Sequence, residues 1–192
     1  QTRNGKRTIF SWLRSQVEMV EEGLIDKETA VARVPAGEFG KLFAPILDAK
    51  YIRDNSLNEL TRGLNASPGG ACGQIYFTAD KAEEMAAQGK DVILVRAETS
   101  PEDIGGMAVA KGVVTCRGGM TSHAAVVARG MGCPCVSGAG EIHINEVKKS
   151  LEVNGVMLSE GDYMSIDGFT GAVYGTKIPV RSSEIVQVLS GI

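Results

Sequence analysis

Two short, unbroken apolar runs constrain this chain most: VILV at Val92–Val95 and GVVTC at Gly112–Cys116. Four or five apolar residues without polar alternation are the pattern of a strand covered on both faces. A strand over 73–78 (GQIYFT) and a helix over 80–88 precede them, after a turn at Pro68-Gly69-Gly70. Ala82, Met85 and Ala86 share one face of that helix, and Gly89 stands at its end. Ser100-Pro101-Glu102-Asp103 then supplies an N-cap, a proline at the first helical position and acids in the first turn, so Glu102 and Asp103 read as a helix start. After Pro134 come short β-prone pieces separated by Gly155, Glu160-Gly161-Asp162, Asp167-Gly168 and Gly171. The alternation predicts an α/β or α+β domain with one core over 65–178.

The flanks read differently. Ile9, Trp12, Leu13, Val17, Val20 and Leu24 recur at helical spacing over 8–23, with Gly23 as a stop. A second short helix starts at Asp26 and is bounded by Pro35, and 35–64 reads as an irregular connector and docking surface. The expected organisation is therefore an arm over 1–64, the domain over 65–178 and a second arm over 179–192, with Gly63 and Pro179 near the boundaries.

Composition excludes several classes. Hydrophobic content of 43% and charged content of 22% are those of an ordinary globular domain. With 20 basic against 23 acidic residues and no basic block, nothing indicates a nucleic-acid surface. No apolar run approaches the roughly 18 residues of a membrane span. The opening QTRNGKRT has no apolar core of a signal peptide, and its lack of an initiating Met suggests a piece of a longer chain outside the secretory route. Of the four cysteines, Cys133 and Cys135 are separated only by Pro134, which would strain a bridge between them. Reduced thiols, Cys72 and Cys116 included, fit better. A zinc site from Cys116, Cys133, Cys135 and a histidine, in a non-catalytic metal-binding module, lacks the paired C-x2-C hooks such sites use.

The chemistry concentrates in GGMTSHAAVVARGMGCPC, residues 118–135, which holds one of only two histidines. Thr121 or Ser122 can cap a helix running to Met131, which puts His123 in its first turn. Free N–H groups and the positive end of the helix dipole attract an anion there. A phosphoryl group on the ring would meet those donors and the Thr121 and Ser122 hydroxyls. Gly118 and Gly119 leave room for a bulky donor such as a nucleotide. Arg117 is the nearest cation in sequence, and Ala124, Ala125 and Ala128 let the helix lie close to a sheet. A Ser122 nucleophile is a weaker reading without G-x-S-x-G. His143, beside Glu141, Ile142 and Asn145, reads as a surface residue, and SPGGACG at 67–73 precedes its strand, unlike a dinucleotide loop.

GGMTSHAAVVARGMG closely resembles the phosphohistidine segment of enzymes that use phosphoenolpyruvate: the pyruvate, phosphate dikinases, the phosphoenolpyruvate synthases and enzyme I of the sugar phosphotransferase system. The finer resemblance is to the dikinase family, through Thr-Ser-His-Ala-Ala-Val-Val-Ala-Arg, LVRAETSPEDIGGM (94–107), MVEEGLIDKETAV (19–31) and QTRNGKRT (1–8). An enzyme I-type carrier is the alternative.

The dikinase resemblance implies a swivelling β/β/α sandwich with His123 as the residue phosphorylated on Nε2 and Thr121, Ser122, Gly119 and Arg117 around the phosphate. It implies that 1–64 ends an ATP-grasp nucleotide domain, with Gln1 and Arg3 as remnants of its nucleotide site. It also implies that 179–192 leads to a phosphoenolpyruvate/pyruvate barrel. ATP, phosphate and pyruvate would be handled by those neighbouring domains, with Mg2+ in the full-length, homodimeric enzyme. The fragment alone would be monomeric and unable to turn over, in a cytoplasmic or organellar setting. Thr121 matches the threonine that a regulatory protein phosphorylates in plant dikinases. Relative to the family, residues 9–16 (IFSWLRSQ) are bulkier, Asn65 stands where proline is usual and Gly70 where alanine is usual.

Overall fold

The computed structural model describes residues 9–34 and 40–189 and divides the chain into two compact units. The smaller is helical: α1 (Ile9–Glu21), α2 (Lys27–Ala32), α3 (Gly40–Phe43) and α8 (Glu184–Leu189). Asp26 caps α2 by accepting from Thr29 N at 2.7 Å, as its sequence position predicts. Three residues of IFSWLRSQ contribute to this unit's core: Ile9 is buried with Val34 and Leu42, and Trp12 and Leu13 pack against them with Ile185.

The larger unit spans Pro45–Ser182. Its strands are β1 (Ile46–Leu47), β2 (Thr61–Arg62), β3 (Leu64–Ser67), β4 (Gly70–Tyr76), β5 (Val92–Arg96), β6 (Gly112–Thr115), β7 (Cys135–Ser137), β8 (His143–Asn145), β9 (Ser150–Val153), β10 (Val156–Ser159), β11 (Tyr163–Asp167), β12 (Ala172–Tyr174) and β13 (Val180–Arg181). The helices are α4 (Ala49–Asp54), α5 (Ala79–Ala87), α6 (Ile104–Val109) and α7 (His123–Met131). Eight strands form the main sheet in the order β2-β12-β11-β4-β5-β6-β7-β3. β4 to β7 run parallel and the outer strands antiparallel.

Side chains alternate along β5. Ile93 and Val95 pack toward one apolar layer with Leu151, Val153 and Leu158 of the β8–β9–β10 ribbon. Val92 and Leu94 pack on the other side with Ala82 and Met85 of α5, Met107 of α6 and Ala124, Ala125 and Ala128 of α7. The result is ribbon on sheet on helices, a β/β/α sandwich. All four residues Val92–Val95 have zero exposure, which explains why the run carries no polar alternation.

Two expectations need correction. Residues 45–64 are not irregular connector: β1 and α4 are regular, Leu47 and Thr61 are buried, and β2 and β3 extend the main sheet. A local pattern cannot reveal this, because two-residue strands have no period to read. The strand expected over 73–78 is Gly70–Tyr76, so Gly70 lies in the strand and not in a turn. A Cβ on Gly70 would lie 2.7 Å from the Ile46 carbonyl carbon, so the β1 backbone occupies the space alanine needs. Asn65 sits in β3, and its amide donates to the Phe169 carbonyl at 3.2 Å, a bond proline could not make.

Candidate functional site

His123 is the first residue of α7, at the point where the chain leaves the carboxyl end of β6. Beyond β6 the chain stays with its neighbour: Cys116 N donates to Arg96 O at 3.0 Å and Arg117 N to Ala97 O at 2.9 Å. It then turns at Gly118, whose φ of +116° favours glycine. A Cβ there would also lie 2.9 Å from Ser122 Cβ and 3.1 Å from Ser137 Oγ. Gly118 is thus needed by the fold itself, whereas a side chain at Gly119 would meet open space. Of the two glycines, only Gly119 leaves the approach to the loop open.

Ser122, and not Thr121, is the N-cap, with its Oγ accepting from Ala125 N at 3.4 Å. Gly132, at φ +68°, ends the helix with a left-handed turn. Arg129 reaches back along the helix: Nε donates to Ala125 O at 2.9 Å and Nη2 to Met120 O, which ties the glycine loop to α7.

The His123 ring is held by a residue remote in sequence. Thr99 Oγ1 lies 3.0 Å from Nδ1, and Nε2 has no hydrogen bond among the described residues. In the tautomer whose Nδ1–H donates to Thr99, Nε2 carries the free lone pair. The loop bearing Thr99 is itself braced. Ser100 N donates to Asp103 Oδ2 at 2.9 Å, Arg96 Nη1 donates to Phe77 O at 2.9 Å, and Arg96 Nε lies 3.1 Å from Asp103 Oδ1. That last contact is an ion pair without hydrogen-bond alignment, since the Nε–H has no partner of acceptable geometry.

Behind the cap runs a chain of hydroxyls. Thr115 Oγ1 lies 3.1 Å from Ser137 Oγ, which lies 3.3 Å from Ser122 Oγ. Thr115 and Ser137 have zero exposure and Ser122 is half-buried.

The structure brings His123 and Ser122 together and leaves Thr121 exposed, with no hydroxyl partner among the described residues. It draws Arg117 elsewhere: its guanidinium lies 3.6 Å from the Glu98 carboxylate, both exposed, a contact worth little in water. Gln1 and Arg3 lie outside the described residues. His143 is exposed on β8, opposite Glu152. Thr99, Thr115, Ser137 and Arg129 are the neighbours that local pattern did not single out. Each reaches the site through strand order or through a helical turn back onto a loop.

Among the described residues the cysteines are not gathered with a histidine or carboxylate into a ligand cluster. Cys116, Cys133 and Cys135 are buried, and burial pushes their thiols up to about 11, about 11 and about 12. Among the described residues no cluster of three or more His, Cys, Asp or Glu can hold a metal ion, and no helix is long and apolar enough to cross a membrane.

A histidine with one nitrogen hydrogen-bonded and the other open, on a helix N-terminus at the end of a parallel sheet, is an arrangement that can accept an anionic group. Residues 88–171 match the family described as PEP-utilising enzyme, mobile domain. Over nearly its whole length it is similar to pyruvate, phosphate dikinases. Identity is 49% over 185 residues with that of Clostridium symbiosum (96% of this chain, 21% of the relative). It is 51% over 185 residues with that of Rhizobium meliloti (96% and 20%), and 49% over 181 residues with the chloroplastic protein of Mesembryanthemum crystallinum (94% and 19%). The chain therefore spans about a fifth of the length of these relatives. One solved structure, an NMR solution structure of enzyme I, aligns with 46% of this chain and 30% of its own at 27% identity and a TM-score of 0.31.

Proposed function

We propose that this chain is the phosphoryl-carrier segment of a pyruvate, phosphate dikinase and that His123 is the carrier. The observation that supports this most is the anchored ring: Thr99 takes Nδ1 at 3.0 Å and leaves Nε2 open at the head of α7. In the forward step the Nε2 lone pair forms an N–P bond to the β-phosphorus of ATP as its P–O bond to AMP breaks, and inorganic phosphate then takes the terminal phosphoryl group away as diphosphate, leaving one phosphoryl group on the ring. The charge arriving on the ring meets the free N–H groups and dipole of the first turn. In the return step pyruvate's enolate oxygen takes the phosphoryl group, giving overall ATP + phosphate + pyruvate → AMP + diphosphate + phosphoenolpyruvate.

On this reading the other domains of the longer polypeptide supply the two substrate sites, an ATP-grasp domain on one side and a pyruvate barrel on the other. Gln1 and Arg3 belong with the first of these. One histidine cannot contact both at once, so the sandwich moves between them on residues flanking the compact unit. Mg2+ belongs with the phosphates in those domains. The complete enzyme is a homodimer in the soluble phase of a cell or plastid. Ser122 and Gly119 adjoin the bound phosphate, with Arg117 free to leave Glu98 for it. Thr121, exposed one residue before the cap, is placed for a modification whose roughly −1.5 to −2 charge would repel the incoming group.

The test is isotopic. The full-length enzyme incubated with ATP labelled in the transferred phosphoryl group should gain label that is lost in mild acid and kept in alkali, as a phosphoramidate behaves. His123→Ala should gain none. Acid-stable label on Ser122 or Thr121 would overturn the assignment.

A further inference from the structure

We propose that the buried hydroxyls of Thr115 and Ser137 form a one-way relay that turns the Ser122 O–H outward, toward the group carried on His123. The inference rests on the carrier reading above and adds two residues that do not touch the phosphate. They act through Ser122 and are positioning residues.

The direction follows from counting protons. Three hydroxyls in a row, Thr115, Ser137 and Ser122, are joined by two links of 3.1 and 3.3 Å. Three protons serve two links, so one O–H is left over; were Ser137 to accept from both neighbours, the spare proton would be its own, buried at zero exposure with no acceptor among the described residues. If the chain donated inward, from Ser122 to Ser137 to Thr115, the spare proton would sit on Thr115 Oγ1. That atom belongs to a residue with zero exposure, and its one hydrogen-bond partner among the described residues is Ser137. A buried donor without an acceptor is costly, more so than an acceptor with a spare lone pair.

If the chain donates outward, Thr115 gives to Ser137, Ser137 gives to Ser122, and the spare proton lies on Ser122. That hydroxyl is half-buried beside His123. Its lone pairs are then occupied by Ala125 N–H at 3.4 Å and by Ser137, so the O–H is free to donate. Each donor in such a row also strengthens the next. Gly118 belongs to the same arrangement, because a Cβ there would press on both Ser122 and Ser137.

The test is a double-mutant cycle in the full-length enzyme, read as the single-turnover rate of label transfer from ATP to His123. Ser137→Ala should slow the step about tenfold, the loss of one oriented hydrogen bond to an anionic group. The ATP concentration at half-maximal rate should not change, because ATP is bound elsewhere. Ser122→Ala should slow it by a similar factor, and the Ser122→Ala/Ser137→Ala pair should be no slower than Ser122→Ala alone. Multiplying effects, or an unchanged rate in Ser137→Ala, would overturn the relay. If Ser137→Ala does not fold, Thr115→Val, nearly equal in shape, carries the same cycle with the same criteria. Label surviving in His123→Ala would instead overturn the carrier reading, and the relay with it. That failure shows in the control and not in the cycle.

Discussion

The two compact units solve the same problem, hiding apolar side chains, to different degrees. In the sheet unit Val92, Ile93, Leu94 and Val95 are all at zero exposure, covered by the β8–β10 ribbon on one side and three helices on the other. In the helical unit the buried cluster among the described residues is Ile9, Val34 and Leu42, while Val17 is 55% and Val31 69% exposed. The sheet unit completes its core from its own residues. The helical unit, as described, leaves part of its apolar stripe bare, although α1 has a regular helical period. Periodicity tells which face is apolar; whether that face is covered depends on how many layers the chain can bring to it.

The comparison can be broken where it predicts the largest effect. Ile93→Ala removes a fully buried side chain between packed layers and should cost about 2–5 kcal/mol, measured as a lower midpoint of urea unfolding followed by circular dichroism. A loss below about 0.5 kcal/mol, the range of ordinary surface changes, would mean the sandwich core is looser than its zero exposure implies.

Gly70→Ala should come next, at about 1–3 kcal/mol, because the added methyl meets β1 backbone and not a flexible side-chain end. The same unfolding curve measures it. An unchanged midpoint would show that β1 is free to shift and that the unit's true edge lies nearer residue 61.

The smallest effect belongs to the helical unit. Val31→Ala should change stability by less than about 0.5 kcal/mol, since the side chain is already in water and alanine is the better helix former. The chain's single tryptophan, Trp12, packs against this unit's cluster, so its fluorescence reports the transition. A clear drop in that midpoint would show that Val31 is covered in solution, and the contrast between the units would narrow.

Much of the sheet unit was legible in advance. The Val92–Val95 and Gly112–Cys116 runs, the helix before them and a cap at Thr121 or Ser122 with His123 after it all rest on interactions within four or so residues. Such spacing survives in one-dimensional text. The β2 and β3 edges and the role of Gly70 were not legible, because short edge strands are defined by their partners: Thr61 opposite Val173, Leu64 opposite Ser137. Gly118 was read as room for a donor, and the fold turns out to need it for a positive φ and for contact with Ser122 and Ser137.

By itself, then, the sequence determined that a histidine stands at a helix start behind a buried strand, since caps, glycines and apolar runs act locally. Only the tertiary structure decided which hydroxyls meet it. Thr99 lies 24 residues from His123 and Ser137 lies 15 from Ser122. They arrive because β5, β6 and β7 lie side by side in parallel, so the residues beyond their carboxyl ends gather at one edge of the sheet. A hydrogen bond needs its partners within about 3 Å, and for residues so far apart along the chain only the order of strands can bring that about.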